Sequence, residues 1–296
     1  MRISRKWWLA LWTAVLISMI RGGAACAQGA SSGANAAGPK PVEEPLEEAV
    51  VDPTAVLAQV RFLDFYSPGN FQTSAQTNIV LIQPIIPVAP LSFLPAEQLI
   101  RFTFKLSTLA TGPSSHPITA LGDTQLYDLF QGKWSYIERW KLRFAIGGIA
   151  VFPTATDRRA GASAWQAGPA VGISYAGVPN LWAGLLAQNP ISFAYTRPGA
   201  TPQNVLFFQP GFSYRLGGGW YMKSTDSVWN VNWRHSTPTT IPVSLGFGKI
   251  WKFRGQTLDT WTSGEWMAYR QFAGITPMYT VRFGLNFVFP EFVLGR

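Results

Sequence analysis

The chain has 296 residues, of which 13% are charged and 14% aromatic, and its mean hydropathy is +0.10. This composition is too apolar and too poor in charge for an ordinary soluble domain of that length. A helical membrane protein is also excluded, because after the first two dozen residues no apolar run approaches the ~18 residues that a spanning helix needs. The apolar residues must therefore be spread along the chain, as they are in alternating strands.

The first 27 residues are typical of an export signal. A basic start precedes the apolar run 7–20, and Ala25-Cys26-Ala27 provides a cleavage site. We expect a signal peptide at 1–27, cleaved before Gln28. An uncleaved anchor fits less well because the run is short for a span, and acylation of Cys26 is a further alternative.

Residues 28–54 are rich in Ala, Gly, Ser and Pro and then become acidic. They lack the apolar periodicity that packing needs, so we expect a flexible periplasmic leader. From residue 55 to residue 296 the chain changes to a period of two, which predicts a single outer-membrane β-barrel.

The clearest alternation lies at the end of the chain. Tyr279, Val281, Phe283, Leu285, Phe287 and Phe289 alternate there with Thr280, Arg282, Gly284, Asn286 and Val288. The pattern recurs around residues 100–106, 142–148, 165–176, 206–215, 229–233 and 241–248 and is less regular at 55–66, 121–130, 180–190 and 256–270. In residues 78–90 we expect a strand interrupted by prolines. The predicted fold class is all-β, a transmembrane antiparallel up-and-down β-barrel of about 12 strands.

The connections test this strand count independently. Tight ones at 177–179, 217–219 and 253–255 follow even strands, and longer ones at 153–164, 191–202 and 271–277 follow odd strands. Short periplasmic turns and long outer loops alternate in this way in outer-membrane barrels. One connection, 131–140, should be periplasmic but is long.

Alternation also predicts which charged residues face the lumen. The candidates are Arg61, Arg101, Lys105, Lys141, Arg143, Arg215, Glu265 and Arg282, together with Asp64 and Asp259. A buried charge needs water or a partner, so these residues indicate either a wet lumen that carries solutes or an internal ion-pair network. Both interpretations stay open.

Charge elsewhere predicts the partners. Arg158, Arg159 and Arg197 fall in predicted outer loops, where they either contact lipopolysaccharide phosphates or remain solvated. The mature chain keeps a basic excess that suits the headgroups of outer-membrane lipids. No run of Lys and Arg forms the clustered basic face that nucleic-acid binding requires, so we expect no nucleic-acid partner.

Candidate catalytic residues are few. The two histidines, His116 and His235, lie in predicted loops, and no nucleophile-elbow, P-loop or dinucleotide-binding motif occurs. We therefore expect no metal, no cofactor and no enzyme activity. His235 and Ser236 suggest an outer-membrane hydrolase, but neighbours on a strand point to opposite faces, which makes a hydrogen-bonded pair a poor fit.

Several short motifs follow one another in a characteristic order along the chain. They are Gly122-Asp123-Thr124-Gln125-Leu126, Phe152-Pro153-Thr154-Ala155-Thr156, Trp165-Gln166-Ala167-Gly168-Pro169-Ala170, Gln209-Pro210, Gly219-Trp220-Tyr221-Met222-Lys223-Ser224, Pro242-Val243-Ser244-Leu245-Gly246-Phe247-Gly248-Lys249 and Phe289-Pro290. Together, over about residues 60–290, they resemble the proteobacterial outer-membrane β-barrel family named for the meta-pathway of phenol degradation. The resemblance implies an outer-membrane barrel for uptake of aromatic or other small hydrophobic compounds, and it carries over no catalytic residue.

We therefore predict a channel or transporter in the Gram-negative outer membrane that passes small solutes passively. A closed structural barrel that binds lipid or partners is the alternative, and an outer-membrane hydrolase is the third possibility. We expect the barrel assembly machinery as a partner, although residues 291–296 follow Phe289-Pro290 where many such barrels end on an aromatic residue.

Overall fold

The computed structural model describes residues 46–52, 54–71, 73–110, 117–132, 136–232, 239–270 and 276–295. A helical turn, α1 (Leu46–Ala49), precedes the strands, and a 3-10 helix spans Glu138–Trp140. The strands are β1 Ala58–Ser67, β2 Thr77–Val88, β3 Ala96–Leu109, β4 Ile118–Leu121, β5 Thr124–Gly132, β6 Tyr136–Ile137, β7 Leu142–Phe152, β8 Ala164–Val178, β9 Leu181–Gln188, β10 Ile191–Tyr195, β11 Val205–Gly217, β12 Trp220–Ser224, β13 Trp229–Asn232, β14 Thr240–Phe253, β15 Gln256–Arg270 and β16 Tyr279–Phe289. Within the described ranges, no helix is both long and apolar enough to cross a membrane.

These segments form a closed antiparallel barrel of 12 strands, which confirms the predicted architecture. Pairing runs in the order β1, β2, β3, β5, β7, β8, β9, β11, β12, β14, β15 and β16, and β16 pairs with β1 to close the ring. Three of the 12 strands are interrupted, into β4 and β5, β9 and β10, and β12 and β13. Closure pairs the first and last strands of the described sheet, which removes the free sheet edge that lipid could not hydrogen-bond.

The outer face of the barrel is apolar. In β16 the odd-numbered residues are exposed or half-buried and the even-numbered residues are buried, as the alternation predicts. Large apolar side chains such as Val243, Leu245, Phe247 and Phe283 are about half exposed. A soluble protein would not present so continuous an apolar surface. A lipid-facing belt around a closed barrel places the protein in the Gram-negative outer membrane.

The connections alternate as expected. β8 and β9, β11 and β12, and β14 and β15 are joined by two-residue turns, at Pro179-Asn180, Gly218-Gly219 and Arg254-Gly255. Asn180, Gly218, Gly219, Arg254 and Gly255 have positive φ values, which hairpin turns of this length require. The long connection after β5 folds back as β6, which pairs with the start of β7.

Residues 78–90 differ from the prediction of an interrupted strand. β2 is continuous over 12 residues, although it contains Pro84 and Pro87. Pro84 pairs in register with Val60 of β1, whereas the register with β3 skips Gln83 and Pro84. A proline cannot donate a backbone hydrogen bond, so the ladder is lost on one side only and the strand persists.

The N-terminal side of the barrel also differs from the prediction. Residues 28–54 were expected to be a flexible leader, of which 28–45 lie outside the described residues. Val50 and Val51, however, belong with Leu57 to the same buried cluster as Leu63 and Trp261. We call residues 46–57 the interior segment. A short apolar run can pack without periodicity when a barrel wall surrounds it, and this is why the pattern gave no signal.

The lipid-facing assignment can be tested at Leu245, an outward residue of β14. Replacing it with Arg should lower the free energy of unfolding in lipid vesicles by about 2–4 kcal/mol, because an unpaired cation is placed in hydrocarbon. Urea unfolding followed by tryptophan fluorescence measures the change. Leu245→Ala is the control and should have a smaller effect, and equal stability of Leu245→Arg and wild type would contradict the assignment.

Candidate functional site

The interior segment lies against the inward face of the barrel wall. Its buried residues pack on Leu63, Trp182, Tyr221, Ile250 and Trp261, which come from five different strands. Trp182 and Tyr221 are almost completely buried. At this level the interior is therefore filled jointly by the segment and by aromatic wall residues.

Asp52 fixes the interior segment through polar contacts. Its carboxylate accepts a hydrogen bond from Trp182 Nε1 at 3.0 Å and lies 3.8 Å from Arg143 Nη1. It also accepts hydrogen bonds from the backbone nitrogen and the hydroxyl of Thr54, at 2.7 and 2.6 Å. The side chain of Gln131 donates to the carbonyl oxygen of Thr54. The segment is thus joined to the wall by both apolar and polar contacts.

A break in one strand brings an acid into the interior. Between β12 and β13 the chain leaves the sheet, and Asp226 adopts a φ of 64°. Asp226 Oδ1 accepts a hydrogen bond from Arg61 Nη2 at 2.8 Å, and its Oδ2 accepts one from Lys223 Nζ at 2.9 Å. All three side chains are at least nine-tenths buried. One carboxylate therefore forms ion pairs with two cations from different strands.

A second ion pair lies beside the first. Arg282 contacts Glu265, and Glu265 also accepts a hydrogen bond from the hydroxyl of Ser227 at 2.8 Å. Ser227 belongs to the same strand break as Asp226. The strand break therefore connects the two ion pairs through Ser227 and Asp226.

Aromatic rings complete this network. Lys223 Nζ lies 3.6 Å from the centroid of the Trp261 ring, a cation-π distance. Asp259 accepts hydrogen bonds from the Tyr221 hydroxyl at 2.5 Å and from Asn286 Nδ2 at 2.7 Å. Charged groups and aromatic rings are thus packed together inside the barrel, where an unpaired charge would be costly.

Arg101 is held differently. Its side chain is buried, and its guanidinium carbon lies 4.5 Å from the centroid of the Tyr127 ring. Within the described part of the chain, no carboxylate lies at ion-pair distance from it, and its Nε has no hydrogen-bond partner. Within the same described residues, the Tyr127 hydroxyl is also buried and has no hydrogen-bond partner.

The structure brings together four of the lumen candidates predicted from the sequence. Arg61, Asp259, Glu265 and Arg282 lie in the buried network. Arg101 lies outside it, two strands away from Arg61 around the barrel. The remaining candidates on the inward face are half-buried, and they are Lys105, Arg143 and Arg215.

Two sequence-based placements differ from the structure. Lys141 is exposed with a φ of 51° in the turn before β7, so it precedes the strand whose alternation was used to place it. Asp64 is exposed and hydrogen-bonded to Asn78, and in register it lies opposite Phe283 on the outer face. Every second residue from Arg61 faces inward, and Asp64 is not among them, so the prediction assigned Asp64 to the wrong face of the strand.

Sequence reasoning missed three residues of the interior. Asp226 lies within a strand break that alternation cannot locate, and Lys223 lies in β12 just before that break. Asp52 lies in the segment that was interpreted as unstructured. A usable signal was the polar run Ser224-Thr225-Asp226-Ser227 between two aromatic segments. Ser, Thr and Asp favour such interruptions because their side chains hydrogen-bond to nearby backbone.

The outer-loop arginines are exposed. Arg159 makes a two-contact pair with Asp157, at 2.9 Å each, and this hydrogen bonding holds the pKa of Asp157 well below its usual value. Arg197 Nε donates to Ser163 Oγ at 3.2 Å. Arg158 is exposed beside them. Their contact with lipopolysaccharide stays a prediction. The hydrolase hypothesis also stays a prediction, because His116, His235 and Ser236 lie outside the described residues.

The outer loop that carries Arg158 and Arg159 is fastened to the barrel. Asp123, at the break between β4 and β5, accepts hydrogen bonds from the backbone nitrogens of Ala155 and Ala162, at 3.2 and 2.7 Å. A side chain at Gly161 would collide with this carboxylate. The two arginines are therefore presented by a loop with a defined path.

No protein-family model matches the chain, and a search of curated proteins found no relative. Solved structures do match. The COG4313 outer membrane channel from Pseudomonas putida F1 aligns with a TM-score of 0.56 and 10% identity, over 80% of this chain and 97% of that chain. This match supports the outer-membrane barrel fold.

Two other solved structures superpose more loosely on this chain. A KdgM porin in complex with disordered oligogalacturonate has a TM-score of 0.46 and 7% identity, over 78% of this chain and 99% of the porin. The β-domain of the Bordetella autotransporter BrkA has a TM-score of 0.42 and 11% identity, over 79% and 100% of the respective chains.

The ion-pair network can be tested at its shared acid. Replacing Asp226 with Asn should lower the free energy of unfolding by about 3–5 kcal/mol, because Arg61 and Lys223 then lose their common buried counter-ion. Urea unfolding in lipid vesicles measures this. Asp157→Asn removes an exposed ion pair as a control and should change stability little. Equal effects of the two substitutions would show that the interior pairs are not sheltered from water.

Proposed function

We propose that the protein is a channel that passes small solutes across the outer membrane. The observation that carries this proposal is that the barrel interior is filled at one level by a separate stretch of chain, the interior segment. A barrel of about eight strands can be filled by its own side chains, and wider barrels have room for a ligand, a plug or water. In this 12-stranded barrel, the interior segment occupies space that the wall side chains leave.

The inward residues support a path for polar or charged solutes. Arg61, Arg101, Lys223 and Arg282 are buried basic residues on the inside of the wall. A purely structural interior would be simpler to build from apolar residues, since buried ion pairs seldom add net stability. Retained charges inside a membrane barrel are typical of a selectivity device.

The finer proposal is that the solutes are aromatic or other small hydrophobic compounds. Aromatic rings lie next to charged groups inside the barrel, with Tyr127 beside Arg101 and Trp261 beside Lys223. Such surfaces suit molecules that combine a ring with a polar group. The resemblance of the sequence to the barrels named for the meta-pathway of phenol degradation supports the same solute class.

The proposed partners follow from location. The proposed lipid partners are outer-membrane lipids at the apolar belt and lipopolysaccharide phosphates at the exposed Arg158, Arg159 and Arg197. Passage through the envelope requires the signal at 1–27 and the barrel assembly machinery. A closed barrel that only binds lipid or partners is the competing function, and it predicts no current.

Planar-bilayer recording of the purified mature chain tests the channel. We expect a small conductance for the intact chain, because the interior segment narrows the lumen, and a larger and steadier one after deletion of residues 46–54. Deletion of 33–41, an equal length of chain upstream, is the matched control and should leave the conductance as in the intact chain.

Three results have distinct meanings. A large conductance only in the 46–54 deletion supports both the channel and the obstructing role of the segment. Equal conductance in all three proteins supports the channel and removes that role. No current from either the intact chain or the 46–54 deletion, with the heat-dependent gel shift of a folded barrel retained, would leave the closed barrel as the function.

A further inference from the structure

Arg101 is a buried cation of the interior that makes no ion pair with any carboxylate in the described part of the chain. Arg61 and Lys223 share Asp226, and Arg282 contacts Glu265. Arg101 has a relative exposure of 8%, and no described carboxylate lies within ion-pair distance of it. A buried guanidinium in this position favours the binding of an anion, because burial removes its charge from water and its close compensation in the described structure is the Tyr127 ring and not a contacting carboxylate.

The groups around Arg101 add further donors. Tyr127 lies directly opposite it on β5, and the Tyr127 hydroxyl is buried without a hydrogen-bond partner. Arg61 lies two strands away on the same inward face, and the Nε atoms of Arg61 and Arg101 are both buried and unsatisfied. Gln83, between them, donates through its Nε2 to the Thr103 hydroxyl at 3.1 Å, and its Oε1 is a buried acceptor without a partner. The region thus offers donors and positive charge in excess of acceptors.

A cluster of apolar side chains, buried in this structure, lies immediately beside this positive region. Ile85 pairs with Arg101 across β2 and β3, and Leu99 pairs with Leu129 one step further along the inward face. Ile85, Leu99, Tyr127 and Leu129 belong to one buried cluster. A bound molecule would therefore meet charge at one end and hydrocarbon or a ring at the other.

We propose that Arg101 and the Tyr127 hydroxyl bind the carboxylate of a small monocarboxylic acid whose apolar or aromatic body rests on the neighbouring cluster. This inference deepens the proposed channel function by naming the solute class. The Arg101 guanidinium supplies paired N–H donors that match a carboxylate, and the Tyr127 hydroxyl donates a third hydrogen bond. The apolar neighbours select against fully hydrated anions such as inorganic phosphate.

Isothermal titration calorimetry on the detergent-solubilised mature chain tests the site, with sodium benzoate as the probe. Arg101→Gln should weaken benzoate binding by about tenfold or more, because a hydrogen-bonded charge pair is lost. Tyr127→Phe keeps the ring and should weaken binding severalfold. Lys252→Gln removes the same charge from an exposed position at the end of β14 and should leave the affinity unchanged.

Two further probes define the ligand class. Benzyl alcohol, which has the ring but no carboxylate, and inorganic phosphate, which has the charge but no apolar body, should both bind at least about tenfold more weakly than benzoate. Phosphate binding as tight as benzoate binding would overturn the monocarboxylate assignment. Equal benzoate affinity in wild type and Arg101→Gln would overturn the site itself.

Folding and conductance are separated from binding. The heat-dependent gel shift checks that each variant is a folded barrel. If Arg101→Gln does not fold, Tyr127→Phe becomes the test of the site. An unchanged benzoate affinity in Tyr127→Phe would then overturn the site. Binding of benzoate by a protein that passes no current would support the site while contradicting the channel. Current without benzoate binding would do the reverse.

Discussion

The pairing of β1 with β16 is the contact on which the rest of the structure depends. Hydrocarbon offers no hydrogen-bond partner to an exposed backbone group, so a sheet in a membrane must close. The first and last strands meet over a continuous register from Ala58 opposite Phe289 to Tyr66 opposite Val281. Once this register is set, side chains along each strand alternate between the lipid-facing side and the interior, so each must suit the side that it faces.

Closure also explains how residues distant in sequence form one network. The register places Arg61 opposite Asn286 and Phe65 opposite Arg282, so the two ends of the barrel chain supply neighbouring cations. Their acids come from other strands and from the break between β12 and β13. A regular strand at that position could not deliver Asp226 and Ser227 together, because adjacent residues would point to opposite faces. The interruption is therefore a requirement of the interior.

Much of this architecture could be predicted because a period of two is visible in a single strand. The strand count, the outward residues of β16 and the alternation of turns needed only local pattern. Asp226 and Lys223 could not be identified in this way, since the partner of an inward charge depends on which strands become neighbours. Asp52 was missed for a related reason: the walls that bury the interior segment are formed by residues far along the chain.

The energetic position of the interior segment bears on how a solute could pass. Val50, Val51 and Leu57 are buried against other side chains and not against lipid. Transfer of each fully buried side chain of this size into water costs about 1.5–3 kcal/mol. Asp52 adds contacts with Trp182 and Arg143 that water could replace at a lower net cost. A displaced arrangement is thus higher in free energy by an amount that a solute binding to the freed surface could offset. The segment packs with Tyr221 and Trp261, and these two rings also contact Asp259 and Lys223 of the charged network. A solute that bound to these rings would therefore compete with the segment for the same interior space.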